Sequence, residues 1–178
     1  MGLTWDRPNA SKVLEHPYFW DEKRRTDFIL EFSDRLNQEC RDPPSEIVQR
    51  VEAAASEICA KDWTRLLDDA FMKDSRVNRS YDGKKVNDLI RLIRNKVHSL
   101  PYLPLVGFRG DADIRKKNHN HDLPEALRRK LNEFEPGGYI GYFLYKRFPK
   151  LLLHLYYICE DETLGIAREA WYQAFVHS

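Results

Sequence analysis

Between Lys84 and Lys96 the chain sets Val86, Leu89, Ile90 and Ile93 at i, i+3, i+4 and i+7, the spacing that gathers apolar side chains on one face of a helix. A helix of this kind gains most of its stability from burial of that face, so the rest of the chain must supply a cover for it. Asp82-Gly83, directly before it, is a turn signal and puts Tyr81 at the mouth of the helix. Arg94 and Asn95 follow Ile93 and are expected to close the last turn, where the chain passes to an exposed loop. A cation and an amide at the end of a rigid element suit the holding of a phosphodiester. The plainer reading of Arg94 is a surface arginine on an amphipathic helix.

The remaining periodicity is also helical. Phe28, Phe32 and Leu36, then Ile47, Val51, Ala54, Ala55 and Ile58, recur at helical spacing; Asp42-Pro43-Pro44 breaks the first helix and Ser45 can cap the second. Ser33-Asp34-Arg35 lies within the first. Trp63 with Leu66, Leu67 and Phe71 predicts a third. Near the start, Asn9 followed by Ala10–Leu14 reads as a cap and a short helix ended by Pro17. A further helix is expected from a cap near Asp122, carrying Ala126, Leu127 and Leu131. Tyr142, Phe143, Phe148, Leu151, Leu152, Leu155 and Tyr156 predict an apolar helical pair around Pro149. Strand signals are nearly absent, so the expected fold is all-α. Val97 to Lys116 carries two prolines, two glycines and no period, and reads as a loop of a length uncommon inside compact domains.

A length of 178 residues fits one domain, or one domain plus a fragment. With 29 Lys+Arg against 28 Asp+Glu, any contact with nucleic acid must come from a local patch. Arg115-Lys116-Lys117 and Arg128-Arg129-Lys130 are the candidates; the alternative for such runs is a solvated face. No apolar run approaches the length of a membrane span, and Asp6, Arg7 and Glu15 stand where a signal peptide needs an unbroken apolar stretch. The expectation is a soluble, cytoplasmic chain. Cys40, Cys59 and Cys159 are odd in number and far apart, which indicates neither a disulfide framework nor a zinc site, and favours a reducing compartment.

Read together, these segments carry a resemblance. His16-Pro17-Tyr18-Phe19-Trp20, Ser33-Asp34-Arg35, Asp62-Trp63, Tyr81 with Gly83, Val86-Asn87-Asp88-Leu89-Ile90, Arg94-Asn95-Lys96, Asp122-Leu123-Pro124 and Tyr142-Phe143, followed by Arg147-Phe148-Pro149 and His154 with Tyr156, resemble the kinase-extension nuclease domain. That domain ends the unfolded-protein-response kinase/endoribonucleases and the related oligoadenylate-dependent ribonucleases. The resemblance implies two parts: residues 1–20 as the tail of a protein-kinase C-lobe, and residues 21–178 as a single helical ribonuclease domain. The chain has no glycine-rich loop, catalytic loop or Asp-Phe-Gly of a kinase, so it is not expected to phosphorylate anything.

What the resemblance implies for chemistry is RNA stem-loop cleavage by transesterification, without a metal, leaving 2′,3′-cyclic phosphate and 5′-hydroxyl ends. Such cleavage needs a group to take the 2′-hydroxyl proton, a group to protonate the leaving 5′-oxygen, and donors for the charge on phosphorus. The family assigns proton transfer to a tyrosine and a histidine, and the phosphate to an arginine and an asparagine. Tyr81, Arg94 and Asn95 match three of these positions. A free phenol titrates near pH 10, which makes an orienting hydroxyl the better fit for Tyr81 than a base. Implied partners are an RNA stem-loop, the kinase domain of a longer protein and a second copy of it. The ATP or ADP and Mg of the family belong to that kinase domain, and this chain is expected to hold no cofactor. The implied location is the cytosolic face of the endoplasmic reticulum membrane.

The histidine departs from the pattern. The family follows Arg-Asn-Lys with one residue, a His pair whose second member is catalytic, and then an acidic-Leu-Pro. Here Val97, His98 and Ser99 follow Lys96. Removing the twenty residues 97–116 joins Lys96 to Lys117-Asn118-His119-Asn120-His121-Asp122-Leu123-Pro124 and restores every spacing. His119 then takes the catalytic position; His98, at i+4 from Arg94, is its rival, with His121 behind both. Residues 97–116 are therefore read as an inserted loop, and a translated, unspliced intron is one hypothesis for its origin; a sequenced transcript that retains it would sink that hypothesis. Two alternatives remain: a catalytically silent helical module for dimerisation or docking, and a truncated kinase fragment without independent function.

Overall fold

Helix α6, Val86–Ser99, lies where the other elements meet. The computed structural model describes residues 10–39, 42–76, 80–99, 129 and 138–177. Before α6 come α1 (Ala10–Leu14), a 3-10 turn (Pro17–Phe19), α2 (Glu22–Gln38), α3 (Glu46–Ala53), α4 (Ala55–Ile58), a second 3-10 turn (Trp63–Leu66) and α5 (Asp69–Arg76). After it come α7 (Gly138–Ile140), running into a π-helical stretch (Gly141–Arg147), then α8 (Leu151–Glu160), a 3-10 turn (Ile166–Arg168) and α9 (Ala170–Val176). The described residues contain no strand, as the sequence pattern led us to expect.

The apolar stripe of α6 does what its spacing requires. Val86, Leu89, Ile90 and Ile93 have no exposed surface, and neither has Leu92, which lies off that stripe. The helix touches α2, α3 and α7, so its covered arc is wider than four positions, and each such side chain contributes roughly 1.5–3 kcal/mol by burial. Asp21 caps α2 by accepting from the Arg24 amide at 2.7 Å. Ser45 caps α3 through the Val48 amide at 3.4 Å, as expected. Trp63 is fully buried, and Trp20 meets Phe28 and Phe175 edge-on with ring centroids 5.1 and 5.0 Å apart. The last residue of the expected kinase tail thus lies in the same core as the C-terminal helix.

Two expectations need correction. Arg94 and Asn95 do not close the last turn of α6, because the helix runs on through Val97 and His98 to Ser99. No proline or glycine interrupts the chain before Pro101, and Val97 packs against the core, so both propensity and burial carry the helix one turn further. The loop expected from Val97 therefore does not begin there, and residues 100–116 lie outside the described residues. The third helix expected from Trp63 to Phe71 is two elements, a 3-10 turn and α5, separated by extended backbone at Leu67. The helix expected near Asp122 lies outside the described residues.

Candidate active site

The N-terminal end of α6 is held from three directions. The sequence places Lys84 and Lys85 before Val86, and neither can cap the exposed amides of the first turn, which need an acceptor. The acceptor comes from α3. Glu52 takes the Val86 amide on Oε2 and the Asn87 amide on Oε1, each at 2.9 Å, a carboxylate on the positive end of the helix dipole. Trp63 donates its indole Nε1–H to the Lys85 carbonyl at 3.0 Å and its backbone N–H to the Gly83 carbonyl at 2.8 Å. Gly83 lies so close to Asp62 that a Cβ there would come within 1.9 Å of Oδ1. That carboxylate is itself fixed, accepting from the Thr64 amide at 3.0 Å and hydroxyl at 2.6 Å.

From this anchored end Tyr81 reaches back along the helix. Its ring meets Trp63 edge-on at 6.3 Å, and its hydroxyl accepts from Nδ2 of Asn95 at 3.0 Å. In this bond the amide donates, so the phenolic O–H is not consumed by it. Residues 81 and 95, separated by fourteen positions, are thus brought to one point.

Arg94 points elsewhere. One residue along a helix is a rotation of about 100°, which turns Arg94 from the Tyr81 side towards α2. Its Nη2 stands 2.5 Å from Oδ1 of Asp34, while its Nε is buried without a hydrogen-bond partner. Asp34 is flanked by two immobilised neighbours. Ser33 is buried. Arg35 donates from Nε to Glu169, at 2.9 Å to Oε1 and 2.6 Å to Oε2, and from Nη1 to Glu39 at 2.5 Å. The Arg35 guanidinium, aided by the Trp171 indole, holds the Glu169 carboxyl below its ordinary range. At the position after Asn95, Lys96 Nζ lies 5.7 Å from the centroid of Phe71, and Phe71 stacks on Tyr142 at 5.2 Å.

The structure therefore brings Tyr81 and Asn95 into contact and places Arg94 next to Asn95 on α6, but directed at Asp34. His98 stands one turn past Arg94 within α6. Arg129 is exposed on helical backbone. His119, Arg115, Lys116, Lys117 and Arg128 lie outside the described residues. Two residues escaped the sequence reading. Glu52 carried no local signal, because a cap delivered from another helix leaves no motif at the helix it caps. Asp34, within Ser33-Asp34-Arg35, carried no sign in the sequence of its contact with Arg94. Cys59 and Cys159 are buried free thiols, and burial, with the charges of Glu52 and Asp62, pushes the Cys59 thiol up to about 12. No cluster of metal-ligating side chains occurs among the described residues.

Residues 25–104 and 114–176 match the ribonuclease 2-5A family. The chain belongs to that family. Tyr81, Arg94, Asn95 and His119 all fall inside the matched residues, and the interruption, 105–113, falls between Arg94 and His119. Among individual relatives, the chain is 37% identical over 155 residues to the sensor for unfolded proteins in the ER, ire1, of Schizosaccharomyces pombe, covering 87% of this chain and 12% of that protein. It is 34% identical to the serine/threonine-protein kinase/endoribonuclease IRE1 of Hypocrea jecorina, covering 83% of this chain and 10% of the relative. To the human serine/threonine-protein kinase/endoribonuclease IRE2 it is 32% identical, covering 91% and 15%. This ribonuclease 2-5A chain thus spans only a small part of the length of these curated relatives. None of its described helices is long and apolar enough to cross a membrane.

Proposed function

We propose that this chain is the endoribonuclease domain of an unfolded-protein-response kinase/endoribonuclease, cleaving RNA stem-loops by metal-independent transesterification. The observation that carries the reading is the contact of Tyr81 with Asn95, made beside Arg94 on a helix anchored at its far end, in a member of the ribonuclease 2-5A family. An amide and a guanidinium on successive positions of a rigid helix supply donors for the non-bridging oxygens of a phosphodiester. Tyr81 orients the attacking 2′-hydroxyl. A histidine protonates the leaving 5′-oxygen: His119 by its place in the motif, with His98, one turn past Arg94, as the rival. The products are a 2′,3′-cyclic phosphate and a 5′-hydroxyl.

The interruption of the family match at 105–113 supports an inserted stretch there, within the expected 97–116, whose first residues belong to α6. Arg115, Lys116, Lys117, Arg128 and Arg129 are the cations offered to RNA phosphates. The kinase portion named in the relatives supplies the nucleotide and Mg site of the full-length protein and aligns two copies, at the cytosolic face of the endoplasmic reticulum, so the isolated chain is weakly active at best. Leu14, Tyr18, Phe19 and Tyr157 expose their side chains, and His16 Nε2 lies 3.3 Å from the Tyr157 hydroxyl; this aromatic corner favours a docking contact, and with it the second reading, a catalytically silent docking module.

Cleavage of a hairpin RNA in EDTA, with the ends analysed for cyclic phosphate, separates the two. The nuclease reading expects cleavage by the wild type at high concentration that His119→Ala abolishes, that Tyr81→Phe slows, and that His98→Ala spares. Absence of cleavage in samples where dimers are present would leave the docking module.

A further inference from the structure

The motif Ser33-Asp34-Arg35 has no role in the chemistry above, yet it supplies the one partner that Arg94 has among the described residues. Three observations give that contact direction. First, Asp34 engages the guanidinium at a single nitrogen, Nη2, and the Arg94 side chain is 32% exposed. Nε is buried without a hydrogen-bond partner and Asp34 stands at Nη2, so Nη1 is the nitrogen left for an incoming ligand; a guanidinium carries five N–H groups in a planar fork. Second, the carboxylate is not on a loose element. Ser33, just before it, is buried, and Arg35, just after it, is tied to Glu39, the C-cap of α2, and to Glu169 next to α9. Third, among the described residues α2 and α6 are the two helices in most extensive contact, so Asp34 and Arg94 share one rigid frame.

We propose that Asp34 is a positioning residue for phosphate capture: it pins one edge of the Arg94 guanidinium so that the opposite edge meets the reacting phosphodiester. This rests on the ribonuclease reading of the same site and extends it to a residue on a different helix. An arginine side chain has large rotamer freedom, and a fork fixed in advance loses less of it when it grips a phosphate. The same carboxylate repels the anion that Arg94 must hold, since both are negative and share one cation. Asp34 therefore trades affinity for orientation. Its removal is expected to leave RNA binding equal or tighter while turnover slows, a split that loss of fold does not produce.

The test uses the whole chain. Asp34→Asn and Asp34→Ala are compared with wild type for hairpin cleavage, for binding of a 2′-methoxy hairpin that cannot be cleaved, and for the Arg94 guanidinium resonances in nitrogen-15 spectra titrated with uridine 3′-monophosphate. Expected are a kcat about 10-fold lower in Asp34→Ala, with partial rescue in Asp34→Asn, and a Kd for the methoxy hairpin equal to wild type or up to about 3-fold tighter. Asp34→Ala is expected to cost nothing further in an Arg94→Ala background. Wild-type Arg94 signals should be restricted and should shift with the nucleotide, and should collapse to a freely rotating arginine in Asp34→Ala. The proposal is overturned if Asp34→Ala keeps wild-type kcat, if its loss is undiminished in Arg94→Ala, or if the Arg94 signals are the same with and without Asp34. If wild type cleaves nothing in samples where dimers are present, the ribonuclease reading fails; the Arg94 spectra then decide by themselves whether Asp34 fixes the guanidinium.

Discussion

The two ends of α6 are built differently. At the first turn, Glu52 accepts from two amides, Trp63 donates its indole N–H to one carbonyl and its backbone N–H to another, and Gly83 leaves no room for a Cβ. Two turns on, Arg94 and Asn95 each have a partly exposed side chain that meets a group from another part of the chain, Asp34 for the first and Tyr81 for the second. The anchored end sets where the helix lies, and the presenting end keeps donors within reach of a ligand. A site of this type needs both, because groups must be held to about half an ångström yet remain able to exchange a protein partner for a substrate.

Substitutions at the two ends should separate the two functions, and the largest effects on stability belong to the anchored end. Trp63→Ala is expected to destabilise the fold by about 3–5 kcal/mol, from the lost ring and the cavity it leaves, measured by urea unfolding. Gly83→Ala should cost about 1–3 kcal/mol, since the new methyl must displace Asp62 from its bonds to Thr64. Equal stability of Gly83→Ala and wild type would show that the close approach is not binding. Glu52→Ala should cost about 1–2 kcal/mol, through two unpaired helix amides and the lost dipole interaction, with Glu52→Gln recovering part.

A smaller effect links α2 to the C-terminal helix and depends on pH. The Glu169 carboxyl is lowered chiefly by its bonds to Arg35, so its contribution to stability is complete above the unfolded carboxyl value near 4.3 and is lost as pH falls through the lower folded value. Wild type should therefore exceed Glu169→Gln by about 1 kcal/mol at neutral pH, and the gap should close in acid; a gap that persists at pH 2 would contradict the ion pair. The smallest change in stability is expected at the presenting end. Tyr81→Phe should alter the unfolding free energy by no more than about 1 kcal/mol, the worth of one hydrogen bond, while slowing RNA cleavage about 100-fold. A melt shifted as far as that of Trp63→Ala would show that Tyr81 is an anchor and not a presenter.

How much of this was legible beforehand follows from the range of each signal. The stripe Val86, Leu89, Ile90 and Ile93 announced α6, because helical periodicity is a local property. The cap at Ser45 and the burial of Trp63 were legible for the same reason. The end of α6 was not legible, since Arg94-Asn95-Lys96 has the residue types of a helix end while the helix keeps its apolar contact through Val97. The split between the 3-10 turn at Trp63 and α5 was hidden because Leu66, Leu67 and Phe71 keep an approximate helical spacing across an extended residue.

By itself the sequence determined the helical class, the buried face of α6 and the residue types available for phosphate chemistry, since each depends on neighbours within a few positions. Only the tertiary structure decided that Glu52 caps a helix thirty-four residues away, that the Tyr81 hydroxyl meets Asn95, and that Arg94 turns to Asp34. Those are contacts between elements whose relative placement comes from packing of the whole core, and a pairwise distance in space has no counterpart in local spacing along the chain.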